Sequence, residues 1–310
     1  MPALSISIVI PTYNSGGTLS RCLESVLTQT SPCDDVIIVD KFSNDKTIQI
    51  AKQHGASVVQ TNENRSVARN TGLHHTSSSV VLFLDSDMIA PPTLIEECRA
   101  EMENFQALVI PEVSLGTGFW AECKSLERKV NRDNYMLEAA RCFSRDALLK
   151  LGGFNRNLEA GEDWDLQQRA IRQGFSIGRL RSEIVHDEGN LTLARVFGKK
   201  FLYGKTFGTY LRDNPKVGFK QVNPISRIVN PSLEMLPLDP PHATGLVVLK
   251  SIEYFGAGMG FLFGRFSHQD REYIGNLPAP LITPPHDSNT ANQKLESAVI
   301  DCFAENRAKS

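Results

Sequence analysis

The amino-acid sequence predicts an α/β fold, a mostly parallel sheet with helices on both faces, followed by a helical C-terminal region. Three observations carry this expectation. Short β-forming apolar runs alternate with amphipathic stretches from Ser5 to about Met102. The runs are apolar nearly throughout, as strands covered on both faces are. Turn-forming and charged residues punctuate each transition.

Taken in order, "SISIVIPTYN" reads as a buried strand ended by Pro11 and a turn. "GTLSRCLESVLTQT" follows with Leu19, Leu23, Val26 and Leu27 at helical spacing. "DDVIIVD" and "ASVVQT" are strands, separated by a helix over "DKTIQIAKQHG" that Gly55 closes. "RSVARNTGLHHT" reads as a helix and "VVLFL" as a strand. "PPTLIEECRAEM" is a helix with proline at its start, where a missing N–H costs little. Further on, a short helix, a Gly-Gly turn and a loop lead into a helix from about Glu162 to Gln173 stopped by Gly174, then the extended pieces "FSIGRL" and "SEIVHDE".

Composition narrows the function classes. With 310 residues, 41% of them apolar, the chain can bury the core of one large domain or two smaller ones. A net charge of -2 does not point to a nucleic-acid partner, and none is expected. Six scattered cysteines without a CxxC pair argue for a reducing compartment and against a zinc site or a disulfide framework. The start of the chain lacks a basic segment followed by an apolar one, so a cytoplasmic location is expected. No repeat of solenoid period is present.

In open parallel sheets, ligands sit beyond the carboxyl ends of the strands. Those ends carry Thr12–Asn14, Asp40, Asn62–Arg65 and Asp85–Asp87, and a parallel sheet would set them along one rim. Carboxylates at i and i+2 can hold a hard divalent cation, Mg²⁺ or Mn²⁺, which would also contact a diphosphate. A D-x-D triplet also arises by chance, and Asp163-Trp164-Asp165 is a second copy. Glu162 and Asp163 open an amphipathic helix. They are either ordinary acids favoured by the helix dipole, or they include a general base aimed into the rim. Trp164 is core packing or a sugar-stacking platform.

"SIVIPTYN", "VIIVDKFSNDKT", "RSVARNTG", "VLFLDSDM" and "GGFNRNLEAGEDWDL", in this order, resemble glycosyltransferase family 2. The resemblance covers roughly Ser5 to Glu188. It implies the Rossmann-like GT-A fold, a nucleotide-sugar donor and inversion at the anomeric carbon. It assigns Pro11, Thr12 and Tyr13 to the loop that holds the nucleotide, and Asp40 to the acid near base and ribose. Arg69 would face the nucleotide. Asp85 and Asp87 match the metal motif, with Ser86 between them beside the nucleotide. Asp163 matches the general base, with Glu162 orienting the base or the acceptor, and His186 stands where some GT-A enzymes place a third metal ligand. Where many members carry a second acid after the one matched by Asp40, this chain has Lys41, which can only donate hydrogen bonds. The identity of the base is therefore open.

These readings divide the chain into residues 1–190, a nucleotide-sugar-binding and catalytic domain; 191–278, a helical region; and 279–310, a polar, flexible tail. Within the second, "RVFGKKFLYGKTFGTYLR" mixes cations and aromatics. It suits a helix at a membrane interface, or equally a solvated helix with a core stripe. "ATGLVVLKSIEYFGAGMGFLFG" is about long enough to span a bilayer, but Lys250 and Glu253 in its middle make spanning costly. An interfacial or half-buried helix is expected there, which would place the protein peripherally on the cytoplasmic face, acting on a glycan or lipid-linked acceptor. The alternatives are a non-catalytic nucleotide-sugar or glycan-binding module on the same fold, and a nucleotidyltransferase. The latter usually has a basic phosphate loop that "PTYNSGGT" lacks.

Overall fold

The computed structural model describes residues 4–266, apart from 133 and 135. The tail expected at 279–310, the end of the helical region and Cys302 lie outside the described residues. The N-terminal half runs β1 (Ile6–Thr12), α1 (Leu19–Leu27), β2 (Asp35–Asp40), α2 (Thr47–Gln53), β3 (Ser57–Gln60), α3 (Arg65–His75) and β4 (Val80–Phe83). Strands β1 to β4 pair in parallel, with Thr12 beside Asp40 and Val9 beside Phe83. Their carboxyl ends therefore do share one rim.

The chain continues through β5 (Met88–Ile89), α4 (Leu94–Glu101), β6 (Ala107–Val109), β7 (Glu112–Thr117), α5 (Phe119–Val130), β8 (Ala140–Ser144) and α6 (Arg145–Leu151). It then forms α7 (Glu162–Arg172), β9 (Ile177–Arg179) and β10 (Ile184–Asn190). The main sheet has seven strands in the order β3-β2-β1-β4-β8-β6-β9. It is mixed, because β8 runs antiparallel to both β4 and β6. Apolar side chains fill both faces. Ile6, Ile8 and Ile10 pack among residues of α1 and α4, while Val9, Val81 and Phe83 pack among residues of α3, α6 and α7.

A second sheet of three strands, ordered β5-β10-β7, stands beside the rim. It pairs His186 with Met88, one residue after Asp87, and with Ser114. This small sheet carries the sequence-distant histidine to the aspartates.

The C-terminal part is helical: α8 (Leu193–Asp213), α9 (Pro215–Gln221), a π-helical turn (Ile225–Val229), α10 (Asn230–Met235) and α11 (Pro240–Phe266). Helix α11 packs along α8 through glycines. A Cβ on Gly204 would overlap the Ala257 carbonyl, and one on Gly260 the Phe201 carbonyl. Such small-residue contacts let two helix backbones approach closely. Lys250 and Glu253, 1% and 5% exposed, turn inward, while Val247, Val248, Phe255, Leu262 and Phe263 face outward. The stretch Pro240–Gly264 is long and apolar enough to cross a membrane by length and composition alone.

Candidate active site

Two glycines and an asparagine set the geometry. A Cβ on Gly72 would overlap the Val9 side chain, so glycine lets α3 lie close against β1. Three residues earlier, Arg69 is thereby held under the strand ends. Asn70 pins the "GGF" turn, donating from Nδ2 to the Phe154 carbonyl and accepting from its N–H, both at 2.8 Å. Gly161 adopts a left-handed φ of 76° immediately before α7, which aims the first turn, Glu162 and Asp163, at the cleft.

Arg69 is the hub. Its guanidinium is 0% exposed. It donates from Nη2 to Asp85 Oδ1 at 2.9 Å and from Nη1 to Glu162 Oε1 at 3.1 Å, and also from Nη1 to Asp163 Oδ1. The acid pair leaving β4 and the acids opening α7 thus meet across one arginine, although 94 residues separate Arg69 from Asp163. From the sequence Arg69 is expected to face the nucleotide; it lies instead beneath the cleft, organising the carboxylates. Burial alone would raise the Asp85 pKa, but the positive charges of Arg69, Arg141 and Arg65 hold it well below the usual carboxylate range. Burial and the neighbouring Asp163 raise Glu162, opposed by Arg65 and Arg69.

Asp40 is likewise beneath the surface, at 0% exposure. Its carboxylate accepts from Thr12 Oγ1 (2.8 Å), the Ser43 N–H (2.8 Å) and Ser43 Oγ (2.6 Å). It fastens the loop after β1 to the loop after β2 and leaves Pro11, Thr12, Tyr13 and Lys41 to line the cleft. Ser86 also lines it, donating to Ser15 Oγ at 2.8 Å.

His186 Nε2 lies 3.3 Å from Asp87 Oδ2, and its Nδ1 faces Glu112 Oε2 at 3.3 Å and Arg128 Nη2 at 2.9 Å. Burial lowers its pKa, but hydrogen bonds to Asp87 and Glu112 outweigh that and hold it at about 9. Asp87 Oδ1 is buried with no protein partner. Among the described residues no group of three or more His, Cys, Asp or Glu is already gathered as a metal site. The donors nevertheless suit a hard divalent cation. Asp87 keeps one orphaned carboxylate oxygen, the His186 imidazole lies beside the other, and Glu112 can accept a hydrogen bond from Nδ1–H when Nε2 carries a ligand. Magnesium sites commonly use one or two carboxylates and leave the remaining positions to water and phosphate.

Four residues of the site carry little local signal in the sequence. Arg141 Nη2 meets Glu112 Oε1 at 2.6 Å, and its Nη1 stands 3.7 Å from Asp85. Arg128 pairs with Glu112, and Arg65 stands 3.7 Å from Glu162 and donates to the Tyr203 hydroxyl. An arginine inside the otherwise buried "ARCFS" was the available clue for Arg141. Trp164 donates to the Leu137 carbonyl at 3.1 Å, and its ring packs at 6.0 Å from that of Tyr210 while also lining the cleft.

Asp85, Asp87, Asp163 and His186 line a cleft of 1920 Å³ bounded by the strand ends, the small sheet and helices α5, α7, α8 and α11. A mixed seven-stranded sheet with acids at the parallel rim and a flanking three-stranded sheet defines a protein of the GT-A fold. Residues 7–151 of the chain match the family described as "Glycosyl transferase family 2". The chain is 37% identical over 115 residues to the poly(ribitol-phosphate) beta-N-acetylglucosaminyltransferase TarP of Staphylococcus aureus, covering 34% of this chain and 35% of that protein. It is 25% identical over 223 residues to the glycosyltransferase AglE of Haloferax volcanii, covering 64% of this chain and 72% of that one. Matches above 30% identity span from 15% to 35% of those relatives' own lengths. The mannosyltransferase PcManGT of Pyrobaculum calidifontis, solved with GDP-Man and Mn²⁺, superposes with a TM-score of 0.59 at 16% identity, over 84% of this chain and 88% of that one. That likeness is one of fold.

Proposed function

We propose that the protein is an inverting glycosyltransferase that moves a sugar from a nucleotide-diphosphate donor to an acceptor hydroxyl, with Asp163 as general base. The observation that carries this is the convergence of Asp85, Asp163 and Glu162, which line one cleft, on Arg69 beneath it. On this reading the nucleotide lies against Pro11, Thr12, Tyr13 and Lys41, with the diphosphate toward Ser86 and Asp87. Asp87 and His186, with Asp85 alongside, would hold Mg²⁺ or Mn²⁺, which supplies charge compensation for the leaving diphosphate. Asp163 keeps one oxygen on Arg69 and offers the other to the acceptor hydroxyl, taking its proton as the new bond forms on the face opposite the diphosphate. Arg69 fixes the position of that carboxylate. Glu162, bonded to the same arginine, sets the position of the helix start.

The acceptor end of the reading is a glycan carried on a lipid. The outward face of α11 and Leu233, Leu236 and Leu238 around α10 carry exposed large apolar side chains. Such a face suits the boundary of a bilayer. We place it against the cytoplasmic leaflet, with α11 lying in the interface rather than crossing. Residues 1–190 would then be the catalytic unit and the helices after it the acceptor and membrane unit.

The test of the base is Asp163→Asn. Transfer should fall by about 10²–10⁴-fold while donor affinity, read by calorimetry with Mg²⁺ present, changes little. Turnover near wild type would refute the assignment. The membrane part predicts co-sedimentation of the full chain with phosphatidylglycerol vesicles, reduced by Val248→Glu with Phe255→Glu; equal pelleting of both proteins would remove it.

A further inference from the structure

Beyond the acids of the proposed reaction, the cleft has a second charged floor, between α5, α8 and α11. Lys250 Nζ bonds Glu127 Oε1 at 2.6 Å and Glu253 Oε2 at 2.7 Å. Lys124 Nζ bonds the other oxygens of the same two acids, at 2.7 and 3.0 Å. Arg227 adds a contact to Glu127 at 3.1 Å, and Lys200 stands 3.5 Å from Glu253. Four cations therefore gather on two carboxylates. The next acid, Glu188, already accepts from Ser114 and faces Arg128. The four cations, Glu127, Glu253 and Glu188 line the same cleft as Asp163. Charge left uncompensated in a partly desolvated site is costly unless a partner supplies the opposite sign.

We propose that this floor is a subsite for a phosphate group of the acceptor, so that the sugar is passed to a phosphate-bearing glycan or polyol. A local excess of two positive charges matches the roughly -1.5 to -2 carried by a phosphate monoester at neutral pH. Lys200 is the group most in want of an anion. Burial, together with the nearby positive charges of Lys124 and Lys250, lowers its pKa to about 8 despite Glu253. The lysines suit phosphate as rotatable point charges, and Arg227 as a planar fork. The proposal rests on the reading that the donor occupies the strand-end part of the cleft. A donor diphosphate is the other source of the same chemistry, and the experiment separates the two.

Inorganic phosphate is titrated into the full chain by calorimetry, first alone and then with UDP or GDP and Mg²⁺ saturating. One saturable phosphate site should persist beside the nucleotide. Lys200→Met should weaken it by about tenfold or more, whereas Lys200→Arg should retain it. The melting temperature of Lys200→Met should not fall, which excludes misfolding as the cause. Phosphate binding that vanishes once nucleotide is bound would assign the charge to the donor and overturn the proposal. Equal binding by Lys200→Met, or no saturable phosphate site, would overturn it too. If neither nucleotide binds, the donor reading fails by itself, and the titrations without nucleotide still decide the phosphate site through the two Lys200 variants.

Discussion

Replacing Arg69 by methionine should be among the most damaging single changes available in the N-terminal half. The guanidinium lies 2.9 Å from Asp85 and 3.1 Å from Glu162, and bonds Asp163 as well. At an effective dielectric of about 20, each contact near 3 Å represents roughly 5 kcal/mol of gross attraction. Most of that is offset by the cost of burying the charges. Breaking a buried pair from one side still typically costs about 3–5 kcal/mol, because the partners remain stranded. The expected loss for Arg69→Met at pH 7 is in that range, read from urea unfolding followed by far-UV circular dichroism. Its pH dependence has a fixed sign. Burial and Asp163 already raise Glu162, and Arg65 and Arg69 oppose that rise. Without Arg69 the Glu162 pKa rises further, so its ionised form costs stability above the unfolded value of about 4.3. That cost is relieved as pH falls through the raised pKa, so the gap to wild type should narrow between pH 7 and pH 5. Adding Glu162→Gln to Arg69→Met should recover part of the loss at pH 7, with a coupling of about 0.5–3 kcal/mol. A variant within 1 kcal/mol of wild type at pH 7, or a gap that widens on acidification, would refute the hub.

Other expectations are more local. Asp87→Ala should remove the dependence of donor binding on Mg²⁺ or Mn²⁺, so that calorimetry with and without chelator gives the same weak affinity; full metal dependence in the variant would clear Asp87 of that role. Gly260→Val should destabilise by about 1–3 kcal/mol or more through overpacking, since a Cβ there overlaps the Phe201 carbonyl and backbone cannot yield as a side chain can; an unchanged melting temperature would mean α8 and α11 are not in backbone contact. For Lys200 the folded pKa of about 8 lies below the ordinary lysine value of about 10.4. Its charged form therefore disfavours the folded state below about pH 8, and stability from this group rises between pH 8 and about 10.4. Relative to wild type, Lys200→Met should gain stability at pH 7 and lose that advantage above pH 9; melting curves across the range check it.

The parallel half of the sheet was legible because β1, β2 and β4 are buried on both faces and so read as nearly unbroken apolar runs. The acids at their ends stood out against that background. The antiparallel direction of β8 was not legible, since "ARCFS" has the same composition whichever way it runs. Nor were β5, with two residues, or β7, whose "EVSLGT" is half polar. Those two strands are what bring His186 to Asp87. Helix α5, which carries Lys124, Glu127 and Arg128, is absent from the elements expected from the sequence. The role of Arg69 was out of reach for a different reason. Its partners come from three segments, and nothing in "ARN" tells a buried arginine from one that meets a ligand. In the sequence Lys250 and Glu253 show only as obstacles to a membrane span, because their partners, Glu127 and Lys124, belong to a helix more than a hundred residues earlier.

Helix α11 can take only one rotational setting. Lys250 and Glu253 are spoken for by acids and bases of two neighbouring helices, and glycines fit its backbone against one of them. Turning it by a quarter would drag both charges out of their sockets and push phenylalanines into the gap. The greasy side is thus fixed outward by the ionic side, whatever surrounds the molecule. Anything that docks on that outer strip meets a rigid rail whose opposite edge forms part of the cleft wall.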